Sequence, residues 1–294
     1  MTTSSGPILV PIGFAEQSIL ALEQAVNISK ITDSELFLLT VVEEPSSMQK
    51  LFSNYKESQE QLKEQVREKL EALQEQYCSD LSRDSDCMVS VGAIYEKIVE
   101  VADMIGASLI VMGTDGADRE TRKKFIGSNA YNVVRSAPCP VITIKGKEHR
   151  SGCNTIVLPL DLQKETREKV TTAIQYARFW DAEIRVFSVL LTDDEFVKGK
   201  LTRNLEQVEQ FILDKGVSCQ AELVHVSDDS LSKAVLNYSE KVNADLIMIM
   251  TQQESDFNLY FLGSTARSII NESDIPVMSV RPVKRLDTTS YKLQ

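Results

Sequence analysis

The residues in this chain best suited to chemistry are glycines. Met112 to Ser128 reads MGTDGADRETRKKFIGS and follows the apolar run Ser108-Leu109-Ile110-Val111-Met112. The run reads as a buried strand, Gly113 and Gly116 open a loop, and Gly127-Ser128 opens a helix. Glycine reaches positive φ and lets another group approach the main chain closely. A helix N-terminus adds unpaired N–H groups and partial positive charge. Together these make an anion cradle of the kind that most often holds phosphate. The bland alternative for Gly113 and Gly116 is a tight turn after a strand. Arg119, Arg122, Lys123 and Lys124 read as a solvated face rather than a phosphate clamp. Ser128 and its later counterpart Ser264 read as helix N-caps.

No other chemistry stands out. The 294 residues include two histidines, His149 and His225, in no metal-ligand spacing. Five cysteines form no CxxC pair, which suggests reduced thiols rather than a disulfide framework. Cys139, between prolines, reads as a small buried residue, and Met248, Met250 and Trp180 as packing. Catalytic Ser/His/Asp geometry is not suggested anywhere. The net charge of -11 makes nucleic acid a poor partner. Apolar runs fall short of the roughly 18 residues of a membrane span, and the start lacks signal-peptide features. The expectation is a cytoplasmic protein with no membrane contact and no enzymatic role.

The elements that would position the glycines recur twice. Pro7 to Ile12 is an apolar strand, Ala15 to Ser29 a helix, and Leu36 to Val42 a second strand. Continuous apolar runs point to strands buried on both faces, as in parallel sheets. Ser46 to about Tyr77 is a charged helical region that would run about 45 Å as one rod. A break or overhang near Ser53-Asn54 is therefore expected. Cys87 to Val91, a helix at Tyr95 to Ile105, the strand before Gly113, a helix at Gly127 to Arg135 and a strand at Val141 to Lys145 complete the first copy. Thr155 to Asp161 then repeats Pro7 to Gly13 at an offset of 148, and Glu183 to Leu190 repeats Glu35 to Val42. Asp245 to Met250 matches Ala107 to Met112 at an offset of 138, and Gly263-Ser264 with Pro276-Val277 matches Gly127-Ser128 with Pro140-Val141 at 136. Ordered matches of this kind indicate one domain present twice. The expected units are 1–146 and 154–284, with a linker at 147–153 and a polar tail at 285–294. Alternating strands and helices predict an α/β fold, a parallel doubly wound sheet in each copy. Ligands bind such sheets beyond the carboxyl ends of the strands, here at Gly13 and Gly113, or Asp161 and Thr251.

With these residues set out, the chain resembles a tandem universal stress protein over nearly all its length. The shared pattern is an ILVP-type opening strand ending in Asp and a late G-x-x-G-(about nine)-G-S/T. The resemblance implies two Rossmann-like domains of the adenine nucleotide alpha hydrolase-like type, each with five strands. It also implies ATP binding in many members, pairing through the last strand and a role in stress survival. Members are generally not enzymes, though weak ATP hydrolysis occurs in some. By the same resemblance, Gly113, Gly116, Gly127 and Ser128 would hold the triphosphate, with ten residues between the second and third glycines where nine is usual. Met112 would contact nucleotide and Val41 would meet the adenine. Gly13 departs from the strand-ending Asp that serves the nucleoside end.

The second copy departs in the opposite sense. Asp161 keeps the carboxylate, which also reads as a cap for the next helix, and Val189 keeps the strand-two position. Thr251 and Glu254 stand where the first two glycines are expected, and only Gly263 and Ser264 remain. Asp115 to Lys124 holds four basic and three acidic residues, whereas Thr251 to Leu262 holds none basic and two acidic. ATP or a related adenine nucleotide is thus expected mainly in the first copy. Strands 141–145 and 277–281 have apolar edges that seek partners and are expected to pair within the chain as a pseudo-dimer. A further homodimer stays open. So does a nucleotide-free interaction scaffold, with the helix at Ser46–Tyr77 as its surface. An adenylating ligase fits less well, because Gly13 to Ser18 lacks a Ser-Gly-Gly pyrophosphate loop.

Overall fold

The computed structural model describes residues 6–44, 55–114, 127–146, 152–161, 167–226, 230–251 and 263–281. In the first half, β1 (Ile8–Pro11), α1 (Glu16–Thr32), β2 (Leu36–Val42), α2 (Tyr55–Cys78) and β3 (Ser85–Val91) lead to α3 (Ile94–Met104), β4 (Leu109–Gly113), α4 (Ser128–Ser136) and β5 (Val141–Ile144). The second half runs β6 (Thr155–Pro159), α5 (Arg167–Trp180), β7 (Glu183–Leu190), α6 (Glu195–Asp214), β8 (Cys219–His225), α7 (Leu231–Lys241), β9 (Leu246–Met250), α8 (Ser264–Glu272) and β10 (Val277–Val280). The fold is α/β, as the alternation predicts.

Ten strands form one sheet in the order β3-β2-β1-β4-β5-β10-β9-β6-β7-β8. Within each half every pairing is parallel. The halves join where β10 lies antiparallel to β5, with Val277 opposite Thr143, Met278 opposite Ile142 and Ser279 opposite Val141. This is the intrachain pairing expected of 141–145 and 277–281. Both sheet faces are covered. Ile8, Val10, Leu36, Leu38, Ile142 and Met278 pack on the α1, α2, α5 and α6 side. Leu9, Leu39, Ile110, Val141 and Val277 pack under α3, α4, α7 and α8. Each core crosses the junction, so burial of the β5 and β10 side chains depends on both halves. A fully buried aliphatic side chain contributes about 1.5–3 kcal/mol.

Polar contacts reinforce the junction reciprocally. Arg281, just past β10, donates from Nη1 to Ser136 O at 3.2 Å and Ala137 O at 3.0 Å, at the end of α4. Lys145, just past β5, donates from Nζ to Asn271 O in the last turn of α8. Each half thus sends a cation to the carbonyl end of the other half's last helix, where the helix dipole is negative.

The long charged region is α2, and its packing is uneven. Leu70 is buried, whereas Leu62 is 46% exposed, so the N-terminal part of the helix overhangs the core. The expected break near Ser53-Asn54 lies outside the described residues. Among those residues, no helix is long and apolar enough to cross a membrane.

One register differs from the sequence reading. Ile8 pairs with Leu109, and its counterpart Ile156 pairs with Leu246. Thr114 N–H bonds Ile144 O at 3.0 Å, and Thr251 N–H bonds Val280 O at 3.1 Å. Leu246 therefore answers Leu109 and Thr251 answers Thr114, an offset of 137. Met250 thus stands in the place of Gly113, whereas Gly116 and Glu254 lie outside the described residues. Runs of interchangeable apolar residues permit a one-residue slip, which hydrogen-bond partners remove.

Arg281→Ala is expected to lower stability by about 1–3 kcal/mol, the range for losing charge-assisted hydrogen bonds to partly buried carbonyls. Urea unfolding of the full chain measures it; an unchanged midpoint would assign the junction's strength to the strands alone.

Candidate phosphate-binding site

In each half the strand order reverses between the first strand and its fourth, so the crevice beyond β1 and β4 is the switch point where ligands enter open α/β sheets. A hydroxyl fixes the end of the first strand in both copies. Thr40 Oγ1 donates to Ile12 O at 3.1 Å, and Ser188 Oγ donates to Leu160 O at 3.0 Å. Gly13 and Asp161 follow those two carbonyls directly, and both are exposed. A Cβ added to Gly13 would meet nothing within 4 Å, so packing does not require glycine there.

Gly113 is the last residue of β4, not the start of a loop. Its φ is not in the left-handed region, so conformational freedom is not why it is glycine. A Cβ there would lie 3.0 Å from the main-chain carbon and Cβ of Gln17. The first turn of α1 presses on the strand end. Gln17 then braces the site: Nε2 donates to Lys145 O at 2.8 Å, and Oε1 lies 3.4 Å from Thr114 Oγ1. Gly127 closes the loop from the other side, its N–H bonding Thr114 O at 2.9 Å. A Cβ on Gly127 would come within 2.8 Å of that same oxygen. Main chain at 113–114 and 127–128 is thereby drawn together under the N-terminus of α4. Gly116 and the cations Arg119 to Lys124 lie outside the described residues.

The serines do not cap. The N-cap of α4 is Gly127 and that of α8 is Gly263, and neither helix has a side-chain cap bond. Ser128 and Ser264 are the first helical residues, with exposed side chains. Glycine took the cap position in both copies, which leaves first-turn N–H groups open to another acceptor. Met112 is buried against the core under α4, so only its main chain can face a ligand. Val41, half-buried at the end of β2, packs on the same side. Sequence reasoning missed Gln17, Thr114 and Thr40, because nothing in a lone Gln or Thr announces which carbonyl it will reach.

The second half is built differently at the same place. Met250 replaces Gly113 and packs against the core. Among the described residues no bond joins Gly263 to Thr251, and a Cβ on Gly263 would meet nothing within 4 Å. Thr251 turns its hydroxyl to Val280 O at 3.4 Å. Val189 sits half-buried at the end of β7. Whether Asp161 caps the next helix lies outside the described residues. Its charge does act on Lys169 of α5, whose Nζ donates to Pro159 O at the end of β6. Burial pushes the Lys169 ammonium down to about 7, and Asp161 partly offsets that. In the first half those positions are Gly13 and Ala21. Cys139, read from the sequence as buried, is half-buried, and desolvation pushes its thiol up to about 12.

The description Universal stress protein family matches residues 5–145 and again 153–281. A universal stress protein of Methanocaldococcus jannaschii is 30% identical over 139 residues, 47% of this chain and 81% of that one. A second from the same organism is 26% identical over 155 residues, 48% of this chain and 94% of that one. Among solved structures, a universal stress protein from Archaeoglobus fulgidus superposes with a TM-score of 0.74 at 20% identity, covering 96% of this chain and 98% of that one. A putative universal stress protein from Pseudomonas aeruginosa superposes at 0.67 with 18% identity, covering 96% and 95%. At those identities the superpositions speak to the fold, and they extend it over both halves.

Lys169 gives a pH signature. Its folded pKa, about 7, lies below the roughly 10.4 of an unfolded lysine. Between those values the unfolded chain binds the extra proton, so native stability rises with pH there and the cost of the buried ammonium is full below about pH 7. Lys169→Met should therefore stabilise the protein most at pH 6, with the gain shrinking toward pH 10. Urea midpoints of both proteins across that range check it, and a pH-independent difference would refute the assignment.

Proposed function

The chain belongs to the universal stress protein family, and from that premise we propose that its first half binds ATP or a related adenine nucleotide without turning it over. The observation that carries the reading is the closure of Gly127 onto Thr114 at 2.9 Å. It gathers two stretches of bare main chain beneath an uncapped helix N-terminus at the sheet's switch point. Such a site solvates phosphate with N–H groups. Gly113, Gly116, Gly127 and Ser128 would hold the phosphates, the Met112 main chain would flank them, and Val41 would lie under the base. Units 1–146 and 154–284, joined by 147–153, are the natural division of labour, with the tail 285–294 outside both. In the second, Met250 in the place of Gly113, with no bond between Gly263 and Thr251 among the described residues, opposes triphosphate. Asp161, Val189, Gly263 and Ser264 there would serve a ligand without one, or none. Among the described residues the groups at the first cleft are main chain, apolar side chains and the uncharged side chains of Gln17, Thr114 and Ser128, which suit binding and orientation. A stress-response role in the cytoplasm follows the family's general one.

Calorimetric titration with ATP tests this. Gly116→Glu should weaken binding at least about tenfold, since two like charges ~4 Å apart at an effective dielectric of 20 repel by about 4 kcal/mol. Equal affinity in wild type and variant would remove the loop from the site. Should no nucleotide bind or co-purify, the scaffold reading, with the overhanging part of α2 as its surface, takes its place.

Gly13→Asp should act in the other direction. The side chain has open space, and a restored carboxylate at the nucleoside end is expected to tighten ATP about two- to tenfold, the worth of one hydrogen bond. Unchanged or weaker affinity would place the nucleoside elsewhere.

A further inference from the structure

Over the β5–β10 pair, α4 of one half meets α8 of the other. Tyr131 of α4 and Arg267 of α8 make the contact, the guanidinium carbon 5.2 Å from the ring centroid. Arg135, one turn along α4, lies over the same ring at 6.0 Å. Stacking occupies the flat face of a guanidinium and leaves its N–H edge able to grip an oxyanion. Neither arginine forms an ion pair with a carboxylate among the described residues. Glu272 and Asp274, the acids nearest the end of α8, are exposed and pair with neither. In a chain of net charge -11, two arginines on one ring with no carboxylate paired to either among the described residues are unexpected.

The floor of this junction supplies an independent observation. Alternation along the strands puts Ile142, Ile144, Met278 and Val280 on one face and Val141 and Val277 on the other. Thr143 and Ser279 therefore face α4 and α8. Thr143 Oγ1 donates to Val277 O at 3.2 Å. Its counterpart Ser279, 2% exposed, has no partner for its hydroxyl, and neither does the buried Nε of Arg135. Among the described residues these are the two buried side-chain N/O atoms left unsatisfied, and both belong to this one junction. Buried donors without partners are rare in native proteins and call for an explanation.

We propose that the α4–α8 junction binds a small phosphate-bearing anion, gripped by Arg135 and Arg267 with the Ser279 hydroxyl beneath. Guanidinium groups and a hydroxyl are the donors that an acceptor-rich oxyanion requires. The site draws residues from both halves, so it exists only while the halves are paired. It is separate from the cleft beyond β4.

Inorganic pyrophosphate is the probe, titrated calorimetrically into the full chain carrying Gly116→Glu, which disables the phosphate loop of the first half. Binding should persist in that background. Adding Arg267→Gln, at an exposed position that leaves the fold intact, should weaken it about tenfold or more. Adding Ser279→Ala should weaken it severalfold. In the otherwise wild-type chain, Arg267→Gln should leave ATP affinity unchanged. Loss of all pyrophosphate binding in the Gly116→Glu background, or affinity indifferent to both Arg267→Gln and Ser279→Ala, would overturn the proposal. A parallel fall in ATP affinity would overturn it too, by making the two sites one.

Discussion

A five-stranded parallel sheet ending in an apolar strand has an edge that water cannot satisfy well. Its main-chain groups need partners and its side chains need cover. Here β5 and β10 solve the problem for each other by running antiparallel. All four β5 residues and all four β10 residues are buried. The consequence is one sheet with two continuous cores rather than two domains in loose contact. Interfaces between domains are ordinarily more polar and more mobile than this. The exchanged cations, Arg281 onto α4 and Lys145 onto α8, add direction to what the strands supply in strength.

The same junction reaches the first cleft through one side chain. Gln17 holds the main-chain oxygen of Lys145 and stands beside the Thr114 hydroxyl. It also presses on Gly113 closely enough that no larger residue fits without displacement. Strand β5, the brace and the mouth of the loop are therefore mechanically continuous. Glycine at 113 answers a packing demand from α1 as much as any demand from a ligand. Gly113 alone therefore points to phosphate less directly than Gly127, whose N–H bonds Thr114 O at the mouth of the cleft.

Much of this was legible in the residues. Uninterrupted apolar runs gave the strands and their parallel sense, and the repeat gave two halves. The apolar final strands gave the pairing. What failed did so for local reasons. Leu246 to Met250 is apolar throughout, so nothing in its pattern distinguishes an offset of 137 from 138; only the bonds of Thr114 and Thr251 to the neighbouring strand do. Ser128 and Ser264 have the right chemistry to cap, yet a glycine precedes each and took the position. Of the two properties that suit glycine to position 113, positive φ and close approach, the fold uses the second, because α1 presses on the strand end. Gln17 was invisible because its role depends on a carbonyl 128 residues away.

Antiparallel joining also fixes how the two clefts relate. Within each half the strands are parallel, so the carboxyl ends of the two sets point in opposite directions across the β5–β10 pair. Clefts at those ends must open at opposite borders of the sheet, and no small ligand can span both. Each copy was then free to lose what the other kept: Gly13 stands where the second half has Asp161, and Met250 stands where the first half has Gly113. Loss at one border costs the other nothing as long as the shared strands stay buried. The constraint on divergence falls instead on the junction, where Tyr131 faces Arg267. Those two positions are related by the repeat, and two copies of either half joined to itself would set arginine against arginine or tyrosine against tyrosine. A cation over an aromatic ring is favourable where two cations are not, so the pairing that the fold requires is also one that the halves have become unlike enough to prefer.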